Sequence, residues 1–167
     1  DDWWQAAVET VRKVTQDHKD IAAIGLTGQM HGTVLLGTNH EPVHPAIIWA
    51  DQRSGASANK LLHAVGEDQY VRIAGTLPAA GFMGSTLVWM RDHAADVLSK
   101  AVTVILPKDY LRLKLTGEVA SEVSDAASTG LFDVAQQQWS DEIVRKADLP
   151  DSFLPRILAS SDVAGSL

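Results

Sequence analysis

Two short polar stretches, each closing an apolar run, carry the residue types best suited to chemistry. One is Gly28-Gln29-Met30-His31-Gly32 and the other Trp49-Ala50-Asp51-Gln52-Arg53. Between them an amide, an imidazole, a carboxylate and a guanidinium both donate and accept hydrogen bonds, while a flat indole covers the apolar face of a ring. Such a set suits a polyol, whose hydroxyls need donors and acceptors together. Each residue also has a purely structural reading. From spacing alone Trp49 fits core packing better, and Gln29 and His31 fit a self-satisfied turn equally well. Arg53 could pair with Asp51 or Asp125 on the surface, where such a pair contributes about 0–1 kcal/mol.

Other chemistries lack their residues. The chain has no cysteine, which removes thiolate nucleophiles, disulfides and Cys-ligated zinc. It has no GxSxG elbow, and neither GxGxxG nor GxxxxGKS to cradle phosphates. His18, His31, His40, His44, His63 and His93 form no HExxH pair. His40 and His44 fall on a Pro-containing turn, where solvated side chains are expected and a metal site is not.

The elements that must position these residues are legible from period and punctuation. Trp4, Ala7, Val8, Val11 and Val14 recur every three or four residues, which predicts a helix capped by Asp1 or Asp2. Residues 21–27 form a near-continuous apolar run, the pattern of a parallel strand covered on both faces. The Gln29–His31 turn sits at its end. Strands are expected over 33–36 and 46–49, with a hairpin loop over 37–42, so three strand ends gather polar residues. Helices are expected over 54–65 and 68–73, broken at Gly66-Glu67, then a small-residue loop over 75–84. Ser85 is expected to cap the next helix, with Trp89, like Trp3, a core or staple residue. A strand over 102–106 is cut by Pro107, and a helix over 109–115 is closed by Gly117. Weak alternation over 119–123, a small polar stretch over 124–130, an edge strand over 131–134 and a helix from the Ser140 cap to Ala147 complete the reading. Strands alternating with helices imply an α/β fold.

Composition bounds the rest. A chain of 167 residues with 46% apolar and 21% charged content accommodates one packed domain. A formal charge of −7 argues against a sequence-independent grip on nucleic acid. No run approaches the roughly 18–20 apolar residues of a membrane span, and Asp1-Asp2-Trp3-Trp4 is no basic leader, so a cytoplasmic protein is expected. The chain opens without Met directly into a helix, as a fragment of a longer protein would. No repeat or low-complexity tract appears.

The stretches Ile24-Gly25-Leu26-Thr27-Gly28-Gln29-Met30-His31-Gly32 and Pro45-Ala46-Ile47-Ile48-Trp49-Ala50-Asp51-Gln52-Arg53 closely resemble the first domain of the xylulokinase branch of the FGGY carbohydrate kinase family. Leu106-Pro107-Lys108-Asp109-Tyr110-Leu111-Arg112, Leu115-Thr116-Gly117-Glu118 and Ser124-Asp125-Ala126-Ala127-Ser128-Thr129 agree in order and spacing, and Asp2-Trp3-Trp4 resembles the family's helix start. The resemblance covers essentially the whole chain. Within 81–93 it departs: Thr86 stands where a Lys is usual and Met83 where a small hydroxyl residue is common.

The resemblance implies an RNase H-like, actin-like ATPase fold, a mixed sheet flanked by helices, in which two domains close on a sugar and ATP. Residues 1–167 would be a fragment of the N-terminal sugar-binding domain. The first phosphate hairpin would lie before Asp1, and the catalytic Asp and adenine-binding domain after Leu167. The implied reaction is phosphoryl transfer from MgATP to the C5 hydroxyl of D-xylulose, with that Asp accepting the proton and domain closure excluding water. Met30, His31 and Gln29 would contact the sugar, His31 orienting it and not acting as base. Trp49 matches a substrate-facing tryptophan, and Asp51, Arg53, Phe82 and Asp125 would form site walls. ATP and Mg²⁺ would belong to the complete enzyme, neither being held by this chain alone. Implied partners are D-xylulose or a related sugar and the remainder of the kinase, with no nucleic acid or membrane and with room for a homodimer. Gluconokinase, fuculokinase and glycerol kinase share the scaffold, and a noncatalytic sugar-binding domain is the alternative of another class. Without the hairpin, the strand over 21–27 would keep an unpaired, adhesive edge.

Overall fold

The three-to-four-residue apolar spacing near the N-terminus folds as expected. In the computed structural model, which describes residues 2–18 and 20–167, α1 runs over Asp2–Thr15 with Asp2 in its first turn. The other expected cap, Asp1, lies outside the described residues. None of its residues is fully buried, although Trp3 packs against a small apolar cluster of Val34, Leu36, Ile105, Tyr110 and Leu113.

The strand expected over 21–27 does not form. Residues 20–29 run without regular structure, and among the described residues none of them joins a backbone–backbone hydrogen bond. Ile21 is 50% exposed and Ile24 41%. A run that is apolar on both faces becomes a strand only when neighbours pair its edges and cover its faces, and among the described residues none pairs with it.

The next strand does form, as β1 (Val34–Leu36), and pairs antiparallel with β2 (Thr103–Ile105), Val34 opposite Ile105. The strand expected over 46–49 shrinks to a single antiparallel bridge between Thr33 and Ile47. Between them the loop closes as expected, the Gly37 and Asn39 N–H groups donating to the Glu41 carbonyl and carboxylate. The helices α2 (Gly55–Val65), α3 (Glu67–Ala74), α4 (Met83–His93) and α5 (Ala95–Leu98) follow. The α4 start corrects the sequence reading. Phe82 takes the cap position, and Ser85, expected as the cap, is buried inside the helix. Then α6 (Pro107–Thr116) begins with Pro at its first position and ends at Gly117 in the left-handed conformation, the two residues that start and stop helices at least cost.

The last third is built from short pieces. β3 (Ser121–Glu122) runs parallel to β6 (Ile157–Leu158), and β4 (Phe132–Asp133) antiparallel to β5 (Gln138–Trp139). The stretch over 124–130, read as merely small and polar, holds all but the first residue of α7 (Val123–Ala127). Its cap is the Glu122 carboxylate, which accepts from the Ser124 and Asp125 N–H groups. Ser140 caps α8 (Asp141–Lys146), its Oγ accepting from the Ile143 N–H at 3.2 Å. The main core joins Leu35, Leu61, Tyr70, Leu87, Met90, Leu131 and Ile143. Among the described residues the strands thus lie in three two-stranded sheets of both senses among helices, an α/β fold. Among the described residues no helix is long and apolar enough to cross a membrane.

Candidate functional site

The Gln29–His31 turn is tight and strained. The Gly32 N–H donates to the Met30 carbonyl at 2.9 Å, and His31, between them, takes a φ of 69°. A non-glycine residue held there costs about 1–3 kcal/mol, and such positions cluster where function needs them. The flanking glycines let the turn sit directly on the start of α6. A Cβ on Gly32 would lie 2.7 Å from the Pro107 ring, and one on Gly28 3.2 Å from Lys108 Cβ.

Two distant segments hold the His31 ring. Its Nδ1 lies 2.5 Å from the Ser128 carbonyl oxygen at the end of α7, and its face stacks on Phe82 with centroids 4.1 Å apart and planes 6° apart. Phe82 in turn follows Gly81, whose φ of 80° and packing against the Trp49 carbonyl leave no room for a Cβ. The Gly81 N–H donates to Ser54 Oγ at 3.0 Å. Residues 81 and 82 therefore link the His31 turn to the Trp49–Asp51 corner, which the sequence separates.

Around this link the expected site residues take different places. Trp49 is 58% exposed, so the core-packing reading fails, and Met30 is 51% exposed. The Gln29 side-chain oxygen is shielded from solvent without a hydrogen-bond partner among the described residues. Such an acceptor calls for a donor. Asp51 and Arg53 satisfy each other instead. Both Asp51 oxygens accept from Arg53 Nε at 2.9 Å, and the guanidinium also lies 5.1 Å from the Trp89 ring centre. Hydrogen bonding to Arg53 holds the Asp51 carboxyl below its usual range. The alternative pairing of Arg53 with Asp125 does not occur.

Asp125 belongs to a separate charged cluster. The largely buried Lys108 ammonium lies 2.8 Å from Asp109, 3.3 Å from Asp125 and 3.6 Å from Glu122, while Arg112 bonds Asp109 at 3.1 Å and the Ala120 carbonyl. Burial alone would lower the Lys108 pKa, but Asp109, then Asp125 and Glu122, turn the net shift upward. Burial, set against the attraction of Lys108, raises the Asp125 carboxyl. For Glu122, burial is outweighed by the Ser160 hydroxyl, the Ser124 and Asp125 N–H groups and the Ser124 hydroxyl, which bring it to about 2. The cluster floors a groove of about 790 Å³ between residues 21–28 and 158–167. Met30, His31 and Trp49 lie outside that groove's lining, although Gly28 joins the two regions. Sequence reasoning missed Lys108 and Glu122 as members of one cluster, and Ser128, whose contribution is a backbone carbonyl and leaves no trace in residue type.

The pattern described as the FGGY family of carbohydrate kinases, N-terminal domain, matches residues 1–167. A xylulose kinase of Klebsiella pneumoniae is 40% identical over 99% of this chain and 34% of its own length, and one of Escherichia coli strain K12 is 37% identical over 99% and 34%. The crystal structure of a xyloylose kinase from Brucella ovis superposes with a TM-score of 0.87 at 36% identity, covering 96% of this chain and 34% of that one. The chain therefore spans about a third of the length of the relatives it matches. The fold is that of the actin-like ATPases. The chain belongs to the FGGY family of carbohydrate kinases.

Proposed function

We propose that residues 1–167 form part of the sugar-binding lobe of an ATP-dependent kinase that phosphorylates D-xylulose to D-xylulose 5-phosphate. The observation that carries this reading is the His31 turn: a strained, ring-stacked histidine beside an unpartnered Gln29 oxygen and an exposed Trp49. Met30, His31 and Gln29 contact the sugar, and Trp49 covers its apolar face. Phe82, Asp51 and Arg53 back these residues, and Asp125 closes the adjoining groove. The names of the relatives supply the preference for xylulose.

The carboxylates gathered among the described residues do not fit Mg²⁺. Asp109, Glu122 and Asp125 already face Lys108 and Arg112, and a divalent cation needs carboxylate oxygens that are not neutralised. Following the family resemblance, we assign MgATP and the base that accepts the hydroxyl proton to the remainder of the kinase, which would work in the cytoplasm. The isolated 167-residue chain should not phosphorylate.

The test is an ADP-release assay on the complete protein carrying these residues, with D-xylulose, gluconate, L-fuculose and glycerol. D-Xylulose should give the highest kcat/KM, and His31→Ala should raise its KM about tenfold or more, the loss of a hydroxyl contact made in the bound state. A higher kcat/KM for one of the other three would move the assignment to that polyol. Sugar binding without turnover would make the protein a noncatalytic binder.

A further inference from the structure

The His31 ring is held from two sides, and the two constraints together decide which nitrogen carries its proton. Ser128 offers Nδ1 a carbonyl oxygen at 2.5 Å. A carbonyl has lone pairs and no proton, so the bond exists only if Nδ1 donates. In the neutral ring the proton is then absent from Nε2. Among the described residues no protein group bonds Nε2, and the ring is part-exposed.

The carbonyl cannot turn away. The Ser128 N–H and hydroxyl both donate to the Asp125 carbonyl, at 3.0 and 2.7 Å. The Thr129 hydroxyl donates to Ala126, the Thr129 carbonyl accepts from the Gly84 N–H at 2.9 Å, and the Gly130 carbonyl accepts from buried Tyr70 at 2.6 Å. Phe82 is equally fixed, as the cap residue of α4 between Gly81 and the Gly130 backbone. The near-parallel stack fixes the plane of the imidazole, and within that plane a flip about Cβ–Cγ would set the Cδ2 edge, and no nitrogen, against the Ser128 carbonyl, so the hydrogen bond selects the orientation with Nδ1 toward Ser128.

We infer that the Ser128 carbonyl and the Phe82 ring hold His31 as the Nδ1–H tautomer, so that its Nε2 lone pair accepts a hydrogen bond from one substrate hydroxyl. The inference rests on the reading that His31 contacts the sugar. It makes Phe82 a positioning residue and gives the site a rule. At one position the substrate must donate a proton, and a group that only accepts is rejected. A site built around a hydrogen bond discriminates strongly against an analogue that cannot make it, because its own buried partner is left unpaired.

Two measurements on the complete protein test this. In two-bond proton–nitrogen correlation spectra of ¹⁵N-histidine-labelled enzyme bound to D-xylulose, the His31 signals, identified by their loss in His31→Gln, should show a protonated Nδ1 and a bare Nε2. The second is kinetic, with deoxy and deoxyfluoro D-xyluloses. At one position fluorine, which cannot donate, should lower kcat/KM about as far as hydrogen does, about a hundredfold or more, and the penalty should largely vanish in His31→Ala. Phe82→Leu should raise KM about five- to twentyfold with kcat little changed, and Phe82→Tyr, which preserves the stacked ring, should restore it. A proton on Nε2 in the sugar complex, or fluorine tolerated wherever hydrogen is not, would overturn the inference and leave the sugar-site reading standing. If His31→Ala changes neither KM nor the analogue pattern, the sugar-site reading itself falls and the inference with it.

Discussion

Lys108 is a cation that the fold removes from water and then surrounds with three carboxylates, and its worth differs from that of a surface ion pair. Lys108 side-chain exposure is 9%, against 59% for Lys60, which pairs with Asp92 at the same 2.8 Å. Lys108→Ala should destabilise the protein by about 3–5 kcal/mol, because it strands buried carboxylates, whereas Lys60→Ala should cost about 0–1 kcal/mol. Urea unfolding of both variants beside the parent measures the contrast. Glu122 makes the pH dependence specific. Its hydrogen bonds hold the carboxyl at about 2, below the ordinary glutamate value of 4.5, so its stabilisation is present above about 4.5 and is lost as pH falls toward 2. Glu122→Gln, which weakens the cap of α7, should cost about 1–2 kcal/mol at neutral pH. The gap between variant and parent should close over that acid window. These roles were half legible. Lys108, Asp109 and Asp125 stand in motifs that resemble the family's, but neither charge nor spacing says that Glu122 meets them in one buried cluster.

The elements α7, α4 and the loop between Ser128 and Leu131 act as one clamp on the His31 turn, and glycine makes the clamp close. Gly130 has a φ of 75°, and a Cβ there would lie 2.5 Å from the Tyr70 hydroxyl. Gly130→Ala should therefore cost about 2–3 kcal/mol, combining a left-handed backbone with an overpacked contact. Tyr70→Phe should cost about 1–3 kcal/mol, since it leaves the Gly130 carbonyl unsatisfied. The double variant should cost less than the sum, because removing the hydroxyl makes room for the methyl group. Thermal unfolding of the four proteins gives the coupling. At this scale α6 was the most legible element, because Pro107 and Gly117 mark a helix start and stop by local chemistry alone. The short helix α7 was not, because its small polar residues have no helical period and its cap is the side chain of the preceding residue.

Across the whole molecule the unusual feature is the apolar stretch over 21–27, exposed and without backbone partners among the described residues, along one wall of the 790 Å³ groove. Unpaired backbone beside apolar side chains is a template for another strand. The 167-residue chain by itself should therefore self-associate, with light scattering and melting temperature that depend on concentration. Ile24→Lys should reduce both effects by placing a charge on the stretch. A sharp, concentration-independent melt of a monomer would count against this. The same stretch marks the boundary between what the sequence determined and what the tertiary structure decided. Helical period, the Pro and Gly boundaries of α6, the loop closed on Glu41, the Ser140 cap and the family motifs are local, involving residues within a few positions of each other, and so were readable directly. Whether residues 21–27 become a strand depends on neighbours that the stretch does not encode. Trp49 reads as core from spacing alone yet is exposed, because which side of the chain meets the core is set by contacts with distant segments such as Gly81, which packs on the Trp49 carbonyl. The bond from His31 to Ser128 spans 97 positions and ends on a carbonyl that every residue possesses, so only the folded chain could bring it about.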